Sequence, residues 1–301
     1  MSTIRSALLS GARRLPGEDA CRGEAEILLA YVLGKTRAWL IAHANDAVDP
    51  LCEAAFRDLA VRRARGEPVA YLTGTRGFHA LELHVTPDVL IPRPETELLV
   101  ELALARIPLR SPDEVRRNPG QGAKALPDSA ALHPGYRIAD LGTGSGAIAL
   151  AIAKARPLAR VVATDASAPA LQVARGNAER LGLRNVGFGQ GDWCAPLGDA
   201  RFDLIVSNPP YIAEGDPHLR EGDLRFEPPG ALAAGADGLD AIRIIVRDAH
   251  THLRAGGWLL FEHGFEQGPA ARELLAAHAY AEVFTERDLE SRERISGGRL
   301  A

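Results

Sequence analysis

The chain has 301 residues, of which 46% are hydrophobic and 25% are charged, a composition typical of a globular protein with a full core. Its formal net charge of −4 argues against a protein that binds mainly by neutralising phosphates, because such domains usually carry a basic surplus. The three cysteines (Cys21, Cys52 and Cys194) form no CxxC pair, and no apolar run is long enough to span a bilayer. We therefore expect a cytoplasmic protein that binds neither a membrane nor nucleic acid directly.

Residues 1–75 are predicted to form a helical domain. Two helices are predicted there, in EAEILLAYVLGK and in LCEAAFRDLAVRRARG. Acidic and basic residues are nearly balanced in this part of the chain, so we expect a module that docks a protein partner. The first helix carries apolar residues at helical spacing that are predicted to share one face: Ile27, Leu28, Tyr31 and Val32.

Between residues 76 and 107 the periodicity changes. In FHALELHV, the apolar residues Leu81, Leu83 and Val85 alternate with polar ones, which is typical of a strand, and we expect a β-hairpin followed by a connecting helix. The segment LIPRPETE would open that helix, with a proline in its first turn. Residues 108–134 contain five prolines and little apolar periodicity, so they are predicted to form a flexible insertion.

Residues 135–301 alternate between strand and helix patterns. The predicted strands are YRIAD, RVVATD, VGFGQGD, FDLIVSN and GWLLFEHG, with helices in GAIALAIAKA and PALQVARGNAERLG. This alternation predicts an α/β fold with a doubly wound, Rossmann-like parallel sheet that has helices on both faces. The small N-terminal helical domain would be joined to it by the β-hairpin.

A glycine-rich loop connects the first of these strands to the next helix. In DLGTGSG, Gly142, Gly144 and Gly146 allow a sharp turn and the close approach of a ligand to the helix N-terminus. The third glycine comes one residue earlier than in the GxGxxG pattern of dinucleotide folds, and Asp140 stands just before the loop. A ligand with a cationic end is therefore expected, such as S-adenosylmethionine with its ammonium and sulfonium groups.

Two further acidic residues close the next two predicted strands. Asp165 is placed where a carboxylate can accept hydrogen bonds from two ribose hydroxyls. Asp192 could accept a hydrogen bond from an adenine amine, with the indole of Trp193 packed near the ring. Either acid alone could be a helix N-cap. Three acids at three successive strand ends favour S-adenosylmethionine as the cofactor.

The motif NPPY follows the predicted strand FDLIVSN. Its two prolines remove two backbone donors and fix two φ angles, which stiffens the backbone where the strand ends. The side-chain oxygen of Asn208 and the carbonyl of Pro209 could hold a planar NH2 group in line with a methyl group, and Tyr211 offers a ring for stacking. The alternative is a plain turn after a strand. From these residues alone, the methyl acceptor could be adenine, cytosine or a glutamine amide.

Over nearly its whole length, the sequence resembles the bacterial peptide chain release factor glutamine methyltransferases, the class I S-adenosylmethionine-dependent HemK/PrmC family. The similar segments include GEPVAYLTG, TPDVLIPRPETELLVE, DLGTGSGAIALA, SNPPYI, RFEPPGAL and FEHGFEQG. LIPRPETE is the most discriminating, because the sister family that methylates a ribosomal protein glutamine usually differs there. The resemblance implies methylation of the side-chain amide nitrogen of the glutamine in the GGQ motif of release factors. It also implies that the helical N-terminal domain helps to dock the release factor, and we expect a monomer.

The resemblance and the motifs together assign roles to individual residues. Asn208, Pro209 and Tyr211 are the expected catalytic residues, and these three with Pro210 would hold the glutamine. Arg93 would either contact the substrate or pair with a nearby acid. The residues expected to bind the cofactor are Asp140, Gly142, Thr143, Gly144, Ser145, Gly146, Asp165, Asp192, Trp193 and Asn208.

Other functions and ligands remain as alternatives. An amino-methyltransferase for DNA or RNA bases would share NPPY but would need a basic cleft and room for a flipped base. Two further alternatives are a methyltransferase that acts on a ribosomal protein glutamine and a non-catalytic binding module on the same fold. Glu262 and His263 could line the pocket or be structural. The nine histidines show no metal-ligand spacing such as HExxH, so no metal is expected.

Overall fold

The computed structural model describes residues 2–15, 21–107 and 135–301. The insertion predicted for residues 108–134 lies outside the described residues. Within these ranges, no helix is both long and apolar enough to cross a membrane. The N-terminal part is helical, with a core around Leu28, Leu29 and Phe56. Its helices are α1 (Ile4–Ala12), α2 (Cys21–Leu33), α3 (Arg37–Ala42), α4 (Pro50–Ala64) and α5 (Val69–Thr73).

The apolar face predicted for α2 is divided in the structure. Leu28 is fully buried, together with Leu29 and Ala25. Ile27 and Tyr31 are 38% and 53% exposed, so the prediction that they share a face with Leu28 is wrong. The reason is that α2 packs against both α1 and α4, which turns the Leu28–Leu29 side inward and leaves the side of Ile27 and Tyr31 in solvent.

An antiparallel hairpin follows the helices, as predicted. It consists of β1 (Thr75–Phe78) and β2 (Leu81–His84), and Leu81 and Leu83 point into the core while their polar neighbours are exposed. The connecting helix α6 (Thr96–Arg106) begins two residues after Pro94 rather than with that proline in its first turn.

A seven-stranded sheet forms the second part of the chain and confirms the doubly wound, Rossmann-like fold. The strands are β3 (Arg137–Leu141), β4 (Arg160–Asp165), β5 (Val186–Gln190), β6 (Phe202–Ser207), β7 (Leu253–Glu262), β8 (Tyr280–Arg287) and β9 (Glu293–Leu300). The helices between the strands are α7 (Ala147–Ala155), α8 (Ala168–Arg180), α9 (Asp240–His252) and α10 (Gly268–Ala277). The strand order is β5-β4-β3-β6-β7-β9-β8, and the first five of these strands are parallel.

The order of the strands determines where a ligand can bind. From β3 the chain moves to β4 and β5 on one side, and then crosses to β6 on the other side of β3. The direction of winding therefore changes between β3 and β6. In open α/β sheets, ligands bind at such a switch point, outside the carboxyl ends of the strands. The glycine loop follows β3 and NPPY follows β6, so the two motifs flank this point.

Strand β9 was not among the strands predicted from periodicity, because RERISGGRL is less apolar than the final strand expected there. It nevertheless pairs with β7 on one side and with β8 on the other, both antiparallel. Gly297 explains how it fits: a Cβ at this position would lie 2.5 Å from Leu260 Cδ2 and 2.7 Å from the Leu259 carbonyl oxygen. The space that a side chain would normally fill is thus occupied by the neighbouring strand.

We expect Gly297→Ala to lower the free energy of unfolding by about 1–3 kcal/mol, because overpacking a filled core forces backbone or side-chain shifts. The matched control is Gly187→Ala in the edge strand β5, where a Cβ would meet no atom within 4 Å. Urea unfolding of both variants measures the difference. Equal stability of the two would contradict the packing described for β9.

Candidate active site

A cavity of about 380 Å³ lies at the carboxyl ends of β3, β4, β5 and β6. Segments 88–92 and 228–231 also contribute to its wall. Five of the predicted residues are not on the wall: Arg93, Asp140, Gly146, Pro209 and Tyr211. The predicted residues that line it are Gly142, Thr143, Gly144, Ser145, Asp165, Asp192, Trp193, Asn208 and Pro210.

The glycine loop leaves room for a ligand at one position and for the indole at another. Gly142 and Gly144 both have positive φ, of 70° and 55°, which favours glycine. A Cβ at Gly144 would meet no protein atom within 4 Å, so the loop leaves open space there. A Cβ at Gly142 would lie 3.1 Å from Trp193 Cζ3, so this glycine lets the indole pack closely against the loop.

Asp140 supports the glycine loop from beneath rather than forming part of the cavity wall. It is fully buried, and its Oδ2 accepts hydrogen bonds from Thr143 Oγ1 at 2.6 Å and from the Ala149 amide at 3.1 Å. Its Oδ1 is buried without a hydrogen-bond partner in the described part of the chain. Burial raises the pKa of Asp140 to about 7, against the opposing effect of these hydrogen bonds. An unpartnered carboxylate oxygen suits a nearby cation, and direct contact with a cofactor stays a prediction.

Asp165, at the end of β4, joins the glycine loop to the start of α8. Its Oδ2 accepts a hydrogen bond from the Gly144 amide and its Oδ1 accepts one from the Ser167 amide, both at 2.9 Å. A carboxylate has about four acceptor positions, so two remain for ligand hydroxyls. Asp165 lines the cavity, so the structure has room for the predicted ribose contact.

Asp192 and Trp193 follow β5 and complete one end of the cavity. Asp192 is exposed and Trp193 is partly buried, and both lie on the wall. Trp193 has a φ of 44°, and its carbonyl accepts a hydrogen bond from Thr164 Oγ1 at 2.9 Å. A non-glycine residue is strained in this region, so the surrounding structure must hold the indole in place.

NPPY is connected to the beginning of α6 and to the end of β7 through side chains. Asn208 Nδ2 donates to Thr96 Oγ1 at 3.1 Å, and the Tyr211 hydroxyl donates to Glu262 Oε1 at 3.0 Å. Thr96 Oγ1 donates to Glu262 Oε2 at 2.7 Å. Burial raises the pKa of Glu262, whereas these two donors and the charge of Arg294 oppose that rise.

Arg93 and His263 have partners within the protein. Arg93 forms an ion pair with the buried Glu227, which also accepts a hydrogen bond from the Ile91 amide at 3.1 Å. The structure thus shows the second alternative for Arg93, the pairing with an acid, and contact with a substrate stays a prediction. His263 is fully buried, and its Nε2 lies 2.8 Å from Ser296 Oγ, which is a structural arrangement.

Sequence reasoning missed Asn177, which ties the hairpin to the glycine loop. Asn177 Oδ1 accepts from the His84 amide at 2.7 Å, and its Nδ2 donates to the carbonyls of His84 and Ser145, both at 2.9 Å. It is fully buried in α8. The only sequence signal was an asparagine on the inner face of an amphipathic helix. Thr96 was missed because it is one of several polar residues in LIPRPETE.

Two family models match the chain. The one described as "PrmC N-terminal domain" matches residues 6–74, and the one described as "Methyltransferase small domain" matches residues 117–221. A protein of Bordetella pertussis named "Release factor glutamine methyltransferase" is 52% identical over 280 residues, 93% of this chain and 95% of that protein. A protein of Xylella fastidiosa with the same name is 51% identical over 278 residues, 92% of this chain and 93% of that protein. The chain belongs to the release factor glutamine methyltransferase family.

As a member of this family, the chain is a methyltransferase, and solved structures agree on the fold. A 16S rRNA methyltransferase of T. thermophilus, in complex with AdoMet and guanosine, matches with a TM-score of 0.52 at 20% identity. The match covers 75% of this chain and 50% of that one, and at this identity it shows the fold alone. Among the described residues, no group of three or more histidine, cysteine, aspartate or glutamate side chains could hold a metal ion.

Asp140 should make the stability of this methyltransferase depend on pH. Its pKa rises from 3.8 to about 7 on folding, so between these values the folded chain keeps a proton that the unfolded chain releases. The free energy of unfolding therefore falls as the pH rises through this window, by at most about 1.4 kcal/mol per pH unit from one group. Asp140→Asn cannot ionise and should remove this part of the slope in urea unfolding experiments. An unchanged slope would show that Asp140 is ionised throughout the window.

Proposed function

We propose that the chain transfers a methyl group from S-adenosylmethionine to the side-chain amide nitrogen of the glutamine in the GGQ motif of release factors. The observation that carries this proposal is the placement of NPPY beside the glycine loop at the switch point of the sheet. Membership in the release factor glutamine methyltransferase family supports the substrate. The proposed place of action is the cytoplasm, where thiols such as the three free cysteines stay reduced.

The cavity fits the proposed cofactor in its chemistry. When bound, S-adenosylmethionine supplies an activated methyl group on a sulfonium. The open position at Gly144 admits a ligand next to the backbone, and the two remaining acceptor positions of Asp165 suit a ribose diol. Trp193 offers a ring face for an adenine, and Asp192 offers an acceptor for its amine. The unpartnered Oδ1 of Asp140 lies buried next to the loop, and a cationic ligand nearby would favour the ionised form of this carboxyl group.

The proposed task of NPPY is to prepare the amide nitrogen for reaction. The lone pair of an amide nitrogen is delocalised into its carbonyl, so the nitrogen is a poor nucleophile. Acceptors at Asn208 Oδ1 and at the Pro209 carbonyl would bind its two hydrogens and favour the more tetrahedral nitrogen of the transition state. Transfer would form the nitrogen–carbon bond as the methyl–sulfur bond of the bound cofactor breaks, and the proton lost from the amide nitrogen would pass to solvent. Because NPPY is rigid, little reorganisation is needed.

Asn208→Ala should lower the turnover number with a release factor about a hundredfold or more, the usual effect of removing one preorganised catalytic hydrogen bond. Cofactor affinity should fall much less, because the glycine loop and Asp165 are unchanged. Transfer of label from S-adenosylmethionine measures turnover, and calorimetry measures affinity. The control substrate is a release factor whose GGQ glutamine is replaced, which should accept no label. Near wild-type turnover in Asn208→Ala would overturn the proposed mechanism, and label on the control substrate would overturn the proposed acceptor.

We also propose that residues 1–75 dock the release factor and that the enzyme acts as a monomer. Ile27 and Tyr31 lie one helical turn apart on α2, and both are well exposed. Such apolar side chains can pack against a protein partner without disturbing the core of the helical unit. The exposed side of α2 is therefore the proposed contact surface.

The double variant Ile27→Ser/Tyr31→Ser should raise KM for an intact release factor about tenfold, which corresponds to about 1.4 kcal/mol of lost contact. Turnover of a short glutamine-containing peptide should not change, because the peptide cannot reach α2. Leu289→Ser, at a fully exposed position between β8 and β9, is the control. If the double variant and the control have the same KM for the intact release factor, α2 is not the docking surface.

A further inference from the structure

A chain of hydrogen bonds runs beside the cavity from Asn208 through Thr96 and Glu262 to Tyr211. Its three bonds have lengths of 3.1, 2.7 and 3.0 Å. Thr96 and Glu262 are only 4% and 1% exposed, so solvent cannot readily replace either of them as a partner. The four residues come from the start of α6, the end of β7 and the motif after β6. The chain therefore links three elements that meet at the cavity.

The direction of each bond follows from the number of hydrogens available. The hydrogen bonds from Thr96 and Tyr211 and the charge of Arg294 favour the ionised form of Glu262. An ionised carboxylate can only accept, whereas a threonine hydroxyl has one hydrogen to give and two lone pairs. Since the hydroxyl hydrogen of Thr96 goes to Glu262, Thr96 Oγ1 can only accept from Asn208. The Asn208 amide must therefore turn its NH2 group toward Thr96.

The opposite orientation of the Asn208 amide carries a cost. With the amide turned over, Oδ1 would face Thr96 Oγ1, and two acceptors would be in contact without a hydrogen between them. In the orientation found, the side chain of Asn208 makes one hydrogen bond within the described residues, the one to Thr96. Because Asn208 lines the cavity, its Oδ1 is left to accept a hydrogen bond from a ligand there.

We infer that Thr96 is a positioning residue that fixes, before the substrate arrives, which atom of the Asn208 amide faces the cavity. This inference rests on the proposed function, because Oδ1 is the atom that would bind the substrate amide. Glu262 determines the direction of the hydrogen-bond chain, because it accepts the only hydroxyl hydrogen of Thr96. The same carboxylate also binds the Tyr211 hydroxyl, so it orients the first and last residues of NPPY together. A preorganised acceptor needs no rearrangement at the moment of reaction.

The kinetic test compares Thr96→Val, which removes the hydroxyl but keeps the shape, with Thr96→Ser, which keeps it. Thr96→Val should lower turnover with a release factor about tenfold to a hundredfold, because the amide of Asn208 loses its orientation. Thr96→Ser should restore most of the activity, and the affinity for S-adenosylmethionine should be the same in all three proteins. The matched control is Thr251→Val on α9, an exposed threonine whose hydroxyl donates to the Asp248 carbonyl at 3.0 Å. Equal turnover of Thr96→Val and the control, with an active wild type, would overturn the inference.

A second measurement does not depend on any substrate. The side-chain amide signals of Asn208 in a nitrogen–proton NMR spectrum can be identified by their loss in Asn208→Ala. In Thr96→Val, these signals should move toward the chemical shifts of an amide without a hydrogen-bond partner. In Thr96→Ser, their chemical shifts should stay the same. If they do not move in Thr96→Val, the inference is wrong. A wild type that methylates no release factor would instead refute the proposed function, while the NMR result would still decide the role of Thr96.

Discussion

Glu262 is almost completely buried, and each of its carboxylate oxygens accepts one hydrogen bond from a different element. A buried carboxylate is costly unless donors satisfy it, so Thr96 and Tyr211 are held where they are needed. Through Thr96, this requirement extends to Asn208 at the cavity wall. The orientation of the Asn208 amide therefore depends on one side chain at the end of β7, the buried Glu262, which requires hydrogen-bond donors.

The helical unit is connected to the cavity indirectly, through the segment that follows NPPY. Arg63 on α4 donates to Asp223 at 2.7 Å and also pairs with Glu24 on α2. Asp223 is followed closely by segment 228–231, part of which lines the cavity. Asn177 in turn binds the hairpin to the glycine loop. A partner docked on α2 would therefore be held by an element that is itself tied to the site.

Local patterns predicted the parts of the site that lie at strand ends. Gly144, Asp165 and Asn208 follow or close apolar strands, and parallel strands bring their carboxyl ends to one edge. Thr96 and Glu262 are 166 positions apart in the sequence, and neither carries a local signal for their hydrogen bond. Strand β9 was missed for a similar reason, since Gly297 is explained by Leu260 and Gly298 by Tyr280, both on neighbouring strands, and neither by anything in its own segment.

Neutron diffraction from deuterium-exchanged crystals without substrate locates the hydrogens on which the role of Thr96 depends. We expect deuterium from Asn208 Nδ2 directed at Thr96 Oγ1, and the Thr96 deuterium directed at Glu262 Oε2. Asn208 Oδ1 would then face the cavity with no deuterium of its own. A Thr96 deuterium directed at Asn208, with the Asn208 ND2 group in the cavity, would show that Thr96 does not orient the amide in this way.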